Sequence, residues 1–252
     1  MKYIVAYSVW NKVDMLAWLL SGVVENFNPA DTEVVFHFDA CSDDSVAAFE
    51  AVAGYWLTRP GFRYKVIVTD PSGPQAREVG GHNKILRYAM EETDAEFIII
   101  AQDDQRFNKP IVDHLVRLSD TYGDTLGVIT GRDGYEWGYA QLAGSFWSES
   151  AGLLTRLQHG DWLERSCLNT GPLVYTRNVV TKTGYQDEQF CAFYAWDDYA
   201  LRAKKLGFVN GVLGMDITHA KFGRVTATWW YDGEWKGTGG KDMDRLKQKH
   251  GL

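Results

Sequence analysis

Along the first hundred residues, short apolar runs alternate with longer segments whose apolar positions recur every three or four residues. Tyr3 to Val9 is a near-continuous apolar run and predicts a buried strand. Asp14 to Val24 carries Met15, Leu16, Trp18, Leu19 and Val23, a wide apolar stripe that predicts a helix. Glu33 to Phe38 reads as a second strand, closed by Asp39. A helix capped by Ser42 follows, with Val46, Phe49, Val52, Ala53 and Trp56 on its buried face. Arg63 to Val68 is a third strand, Pro71 to Pro74 a loop, and Glu78 to Glu92 a helix with Ile85, Leu86 and Met90 inward. Then Phe97-Ile98-Ile99-Ile100-Ala101 stops abruptly at Gln102-Asp103-Asp104, the pattern of a strand buried on both faces.

Strands alternating with helices imply a parallel sheet with right-handed crossovers. The second half is less regular. Pro110 to Thr121 predicts a helix, Leu126 to Thr130 a strand, Gly171 to Thr176 a strand, Asp197 to Leu206 a helix and Phe208 to Leu213 a strand. Residues 131 to 168 are rich in Gly and aromatics without a clean period, and read as loops and short helices forming one wall of a cleft. Asp242 to His250 is polar and reads as a surface helix. The expected division is a nucleotide-binding half, residues 1–107, and an acceptor and catalytic half, residues 108–252, of one domain.

Bulk properties narrow this picture slightly. A chain of 252 residues can bury a sizeable core. Its formal charge of -7 argues against a purely electrostatic nucleic-acid binder, although Lys221 to Leu252 holds seven Lys or Arg against four Asp or Glu. Cys41, Cys167 and Cys191 are widely spaced and form no Cys-x-x-Cys pair, so free thiols in a reducing compartment are expected. Asn11, Lys12 and Asp14 interrupt the first apolar run too early for a signal peptide. No run reaches the roughly 18 apolar residues of a membrane span, and the cytoplasm is the expected location.

Ligands of open α/β sheets sit beyond the carboxyl ends of the strands. Asp39, Asp103 and Asp104 all close strands, so they face a common crevice in this scheme. Adjacent carboxylates there suit a hard divalent cation, Mg2+ or Mn2+, on a nucleotide diphosphate. They also suit a solvated strand end or a helix cap. Asp197-Asp198 opens a helix, where acidic residues complement the dipole; one of them is also placed to act as a general base. His219 is of the right type to add a nitrogen ligand to a transition metal. No Walker loop and no Gly-x-Gly-x-x-Gly follows the first strand. A phosphatase or receiver-type protein would carry its key Asp after an earlier strand than the fourth.

The order of these features resembles the GT-A-fold nucleotide-sugar glycosyltransferases, in particular the large inverting family-2-like group. Val9-Trp10-Asn11-Lys12-Val13-Asp14-Met15-Leu16 is similar to that group's Thr-Tyr-Asn-Arg-Pro-x-x-Leu opening. Asp39 stands where the group contacts the base, Gly81-His82-Asn83 where it has Ala-Arg-Asn, and Gln102-Asp103-Asp104 where it has Asp-x-Asp. Asn169 to Arg177 and Gly184 to Phe190 match the segment under its acceptor site, Asp197-Asp198 its Glu-Asp motif, and His219 the place of its metal-binding His. The resemblance spans roughly residues 3 to 225.

The resemblance implies a mixed, mostly parallel, Rossmann-like α/β sheet flanked by helices and an inverting transfer from a nucleotide-sugar, by default a UDP-sugar. Asp104 and His219 would hold Mn2+ or Mg2+. Ser8, Trp10, Lys12, Asp39, Arg77, Asn83, Gln102 and Asp103 would bind the donor, Arg77 replacing the Arg that His82 displaces. Asp198 would be the base and Asp197 its neighbour. Trp137, Trp147 and Trp196 would line the acceptor side for a glycan or small glycoside. A hydroxymethylated base in DNA is the alternative acceptor, and a non-catalytic nucleotide-sugar-binding module the alternative function.

Overall fold

The computed structural model describes residues 1–132, 157–166, 172–190, 194–220 and 238–252. Among these, β1 (Tyr3–Val9), β2 (Thr32–Asp39), β3 (Arg63–Thr69) and β4 (Phe97–Gln102) run parallel. A short β5 (Gln105–Phe107) follows; then β6 (Leu126–Arg132), β7 (Trp162–Glu164), β8 (Leu173–Thr176), β9 (Val209–Gly214) and a short β10 (Ile217–His219). The main sheet has the order β3-β2-β1-β4-β8-β6-β9-β7, while β5 and β10 pair apart from it. β8 is antiparallel to β4 and β6, β9 is parallel to β6, and β7 is antiparallel to β9. Leu173 lies opposite both Ile100 and Thr130, so β4 and β6 end at the same edge. The carboxyl ends of β1, β2, β4, β6 and β9 therefore share one rim.

The strand pleat sorts the apolar residues into two layers. Tyr3, Val5, Tyr7 and Val9 pack with Leu16 and Leu19 of α1 (Leu16–Asn26), Phe49 of α2 (Ser45–Ala53) and, beyond α3 (Arg77–Glu92) in the chain, Leu115 of α4 (Val112–Tyr122). On the other face, Ile4, Ala6, Ile98 and Ile100 meet Ile85 and Leu86 of α3 and Val179 of α5 (Arg177–Thr183). Tyr199 and Ala203 of α6 (Ala195–Lys205) and Leu246 of α7 (Thr238–His250) complete that layer. α3 starts and α6 starts at the rim, because each connects a strand or loop ending there to a strand that begins at the opposite edge.

The apolar pattern located the long elements to within a few residues. It did not indicate α5, β5, β7 or β10, which are too short to show a period; β7 lies in the 131–168 stretch expected to hold no strand. Ser42 is not a cap: its backbone N–H donates to Asn11 Oδ1 at 2.8 Å, and Asp43 Oδ1 accepts from Ser45 N at 3.0 Å instead. The tail helix is not a mere surface element either. Asp242 and Leu246 of α7 are buried, and the helix docks on α6. Cys41 is a buried free thiol; Cys167 and Cys191 lie outside the described residues. Among the described residues, no helix is long and apolar enough to cross a membrane.

Candidate active site

Asp103 and Asp104 sit where the β4 run ends, each side chain about one-fifth exposed (19% and 20%). Asp103 Oδ2 accepts from Trp10 N at 3.2 Å, and Lys12 Nζ stands 4.0 Å from Oδ1. The β1 loop is thereby tied to the end of β4, which brings three expected donor residues together. Burial pushes Asp103 up to about 7; Lys12 pulls it back and Asp104 adds to the rise.

His219 and Asp104 are distant in sequence, yet His219 Nε2 lies 3.1 Å from Asp104 Oδ1. The β5–β10 ribbon is the cause. His219 pairs with Gln105 in register, and Ala220 N donates to the Asp104 carbonyl at 2.7 Å. Among the described residues no group of three or more His, Cys, Asp or Glu could hold a metal. Two protein ligands, one oxygen and one nitrogen, nevertheless fit a Mn2+ or Mg2+ whose remaining positions go to substrate phosphates and water.

Glu78, in the first turn of α3, was not singled out by sequence. Its Oε1 accepts from Gln102 Nε2 at 3.3 Å. Burial raises it to about 7, Gln102 opposes the rise, and Asp103 and Asp104 add to it. A carboxylate thus stands beside Gln102, the position where the resembled family has an Asp. A lone Glu in a helix first turn gives no signal beyond dipole complementarity.

Asp39 is occupied differently from the expectation. Its two oxygens accept from Ala76 N (2.7 Å) and Arg77 N (2.8 Å), holding the start of α3, where Arg77 takes a positive φ of 59°. Burial raises its pKa above the usual range against the opposing backbone bonds. Beside it, Ser8 Oγ meets His37 Nδ1 at 2.9 Å, His37 Nε2 meets Thr69 Oγ1 at 2.8 Å, and Lys84 Nζ donates to Thr69 Oγ1 at 2.6 Å. Burial and the Lys84 charge hold His37 neutral, near about 4. This polar seam seats α3 on the sheet, and Gly81 lets it approach: a Cβ there would lie 2.3 Å from Ser8 Oγ and 2.9 Å from His37 Nδ1. Gly81→Ala should cost about 2–3 kcal/mol in overpacking, offset by ~1 kcal/mol of helix propensity. The expected drop in thermal midpoint is about 3–6 °C. An unchanged midpoint would mean that the seam gives way freely.

Asn83 does not face the crevice. Its amide exchanges two bonds with the Gln186 backbone (2.9 Å each) and donates to Glu188 Oε1 at 2.8 Å, clamping the loop after α5. His82 is buried beside it, near Gln186 Nε2 at 3.2 Å, and burial lowers it to about 3. Neither side chain is available to a pyrophosphate. Trp196 is also corrected. Helical period places it with Tyr199, Ala200 and Ala203 toward the sheet, and only 8% of it is exposed, so its ring cannot stack on an acceptor. Trp137 and Trp147 lie outside the described residues.

The Asp197–Asp198 pair opens α6 at the rim, but its members differ. Asp198 is fully buried (0% exposed). Arg202 Nε reaches its Oδ2 at 2.9 Å, and Lys249 Nζ and His250 Nε2 both reach Oδ1 at 2.8 Å. Burial would raise its pKa; Lys249, His250 and Arg202 outweigh that and hold it below the usual carboxylate range. A carboxylate so clasped presents no surface to an acceptor, contrary to its expected role as base. Asp197 lies a hundred degrees round the helix, on the stripe of Lys204 two turns on, which donates to Ser166 Oγ at 2.5 Å. Asp197 is itself buried, 4% exposed.

No family model matches the sequence, and no curated protein matches it. Solved structures do share its architecture. A mannosyltransferase of Pyrobaculum calidifontis, PcManGT, in complex with GDP-Man and Mn2+, aligns with a TM-score of 0.62 at 15% identity, over 90% of this chain and 59% of that one. S. aureus TarS 1-349 in complex with UDP-GlcNAc aligns at 0.59 and 17% identity, over 85% and 56%. A longer S. aureus TarS structure gives 0.57 and 18%, over 85% and 35%. The chain thus spans between about a third and three-fifths of the length of these structures. These neighbours are glycosyltransferases, and the fold is of the GT-A type.

Proposed function

We propose that the chain is a metal-dependent, inverting glycosyltransferase that moves a sugar from a nucleotide-sugar, by default a UDP-sugar, to a hydroxyl of a glycan or small glycoside. The observation that carries this is the meeting of Asp104 and His219 at 3.1 Å on the ligand-binding rim of a GT-A sheet. They are the residues that would hold Mn2+ or Mg2+. The ion, when bound, offsets the charge that builds on the departing nucleoside diphosphate.

The chain's own residues do the rest. Lys12 and the Trp10 backbone secure the β1 loop against Asp103, and that loop with Ser8 forms the nucleoside side. Asp39 acts at one remove, by fixing the start of α3 and the backbone of Arg77, which is the cation expected at the diphosphate. Asp197 takes the proton from the acceptor hydroxyl as its oxygen attacks the anomeric carbon. The bond from that carbon to the diphosphate oxygen breaks with its electron pair leaving on the nucleotide, and the centre inverts. Asp198 holds the turn that carries Asp197.

A thermal-shift panel tests the proposal: UDP-GlcNAc, GDP-mannose and the free diphosphates, each with and without Mn2+. A donor at a hundred times its dissociation constant adds ~2.7 kcal/mol. The matching nucleotide with Mn2+ should therefore raise the midpoint by about 5–10 °C, well beyond either component alone. No shift with any nucleotide in the presence of Mn2+ would sink it.

A further inference from the structure

β3 forms one edge of the main sheet and, among the described residues, has no strand on its outer side. The opposite edge, β7, is three residues long, whereas β3 runs for seven. The register of β3 with β2 is unbroken from Glu33 opposite Arg63 to Asp39 opposite Thr69, so no bulge twists the edge away, and no Pro interrupts it. Alternate residues of such an edge turn their N–H and C=O outward, a template for another strand. The pleat sorts the side chains. Arg63, Lys65 and Ile67 take the α3 side, where Lys65 Nζ folds back to 5.5 Å from the Tyr88 ring centre. Tyr64, Val66 and Val68 take the α2 side, where Tyr64 meets the Phe49 ring edge-on at 5.8 Å. Tyr64 is 41% and Val68 50% exposed, two of the six exposed large apolar side chains among the described residues. The cations that would guard this edge therefore lie on one face, and the other face is apolar.

We propose that two copies of the chain pair β3 to β3, antiparallel, about a two-fold axis at Val66, so that the sheet of one molecule continues into the other. In that register all seven residues pair, and Tyr64 of each copy lies opposite Val68 of the other. An aromatic facing a β-branched side chain is a favourable cross-strand pair. Arg63 falls opposite Thr69 and beside the exposed Asp70 of the other copy, and Lys65 falls opposite Ile67, so no cation meets a cation. An axis at Lys65 would instead set two ammonium groups against each other, and parallel pairing would align the basic ends of the two strands. The contact is isologous and closes after two copies. Antiparallel copies point the carboxyl ends of their strands in opposite directions. Both ligand-binding rims therefore stay open, and pairing neither needs nor blocks nucleotide-sugar binding.

Sedimentation of the full chain beside Val68→Lys, Tyr64→Glu and the double variant tests the pairing. At roughly 50 µM, where a micromolar contact is largely formed, the wild type should sediment at twice the mass of the chain. Val68 is half exposed, so Val68→Lys should hold the thermal midpoint to within about 2 °C. It sets an ammonium against Tyr64 twice in each dimer and should raise the dissociation constant about 10–100-fold. Tyr64→Glu should weaken association similarly. Positions 64 and 68 lie ~13 Å apart along one strand, so the two new charges can meet only across the two-fold axis. The double variant should therefore recover most of the lost association. Outward amides of β3 should exchange about tenfold faster in Val68→Lys than in the wild type at the same concentration. A wild-type chain that stays monomeric at that concentration would overturn the pairing. So would a dimer that Val68→Lys leaves intact, or a folded double variant that remains monomeric.

Discussion

Asp104→Asn should abolish the Mn2+-dependent part of nucleotide binding and lower kcat/KM by about a thousandfold or more. The reason is charge rather than shape. The amide keeps the size of the carboxylate but removes the negative charge that draws a divalent ion, and several kcal/mol of transition-state stabilisation go with it. The fold should change little, because the backbone carbonyl of Asp104, not its side chain, anchors Ala220, and an amide can still bond His219. His219→Gln makes the complementary change: it should weaken Mn2+ more than Mg2+, since imidazole suits the transition metal and the amide oxygen does not distinguish them. The measurements are midpoint shifts on adding nucleotide with each ion, and kcat/KM at saturating metal. An Asp104→Asn protein with an undiminished Mn2+ response would place the ion elsewhere.

Asp197→Asn should keep donor binding and lose about 10²–10⁴ in kcat, the contribution of a positioned general base. Asp198→Asn should behave otherwise. It strips the counter-charge from Arg202 and Lys249 in a buried site, a loss of the order of 3–5 kcal/mol, and should lower the midpoint by roughly 6–15 °C. The pH dependence follows from the same contacts. Asp198 is held below its ordinary range in the folded protein, so its contribution to stability is complete at neutral pH and is lost as the pH falls through that depressed value. Asp198→Asn should flatten the acid side of the midpoint-versus-pH curve. If Asp197→Asn transfers sugar at the full rate while Asp198→Asn, still folded, does not, the roles within the pair are reversed.

Much of this was legible along the chain because two rules are local. An apolar run that stops at a carboxylate marks the end of a buried strand, and the Phe97 to Asp104 stretch obeys that rule at the rim of the sheet. A three-to-four-residue period marks the buried face of a helix, which set α1, α3 and α4 to within a few residues. The aromatic side chain of Trp196 invited a functional reading that its burial removes.

What the sequence by itself determined is the alternation of strands and helices, the strand that delivers Asp103 and Asp104, and the acidic start of α6. What only the tertiary structure decided is who meets whom. Three-residue strands brought His219 to Asp104; a loop after α5 claimed Asn83; a distant polar helix covered Asp198. Periodicity tells which residues share a face, since that depends on backbone geometry alone. It cannot tell which part of the chain comes to lie against that face, because that is settled by long-range packing and ion pairing.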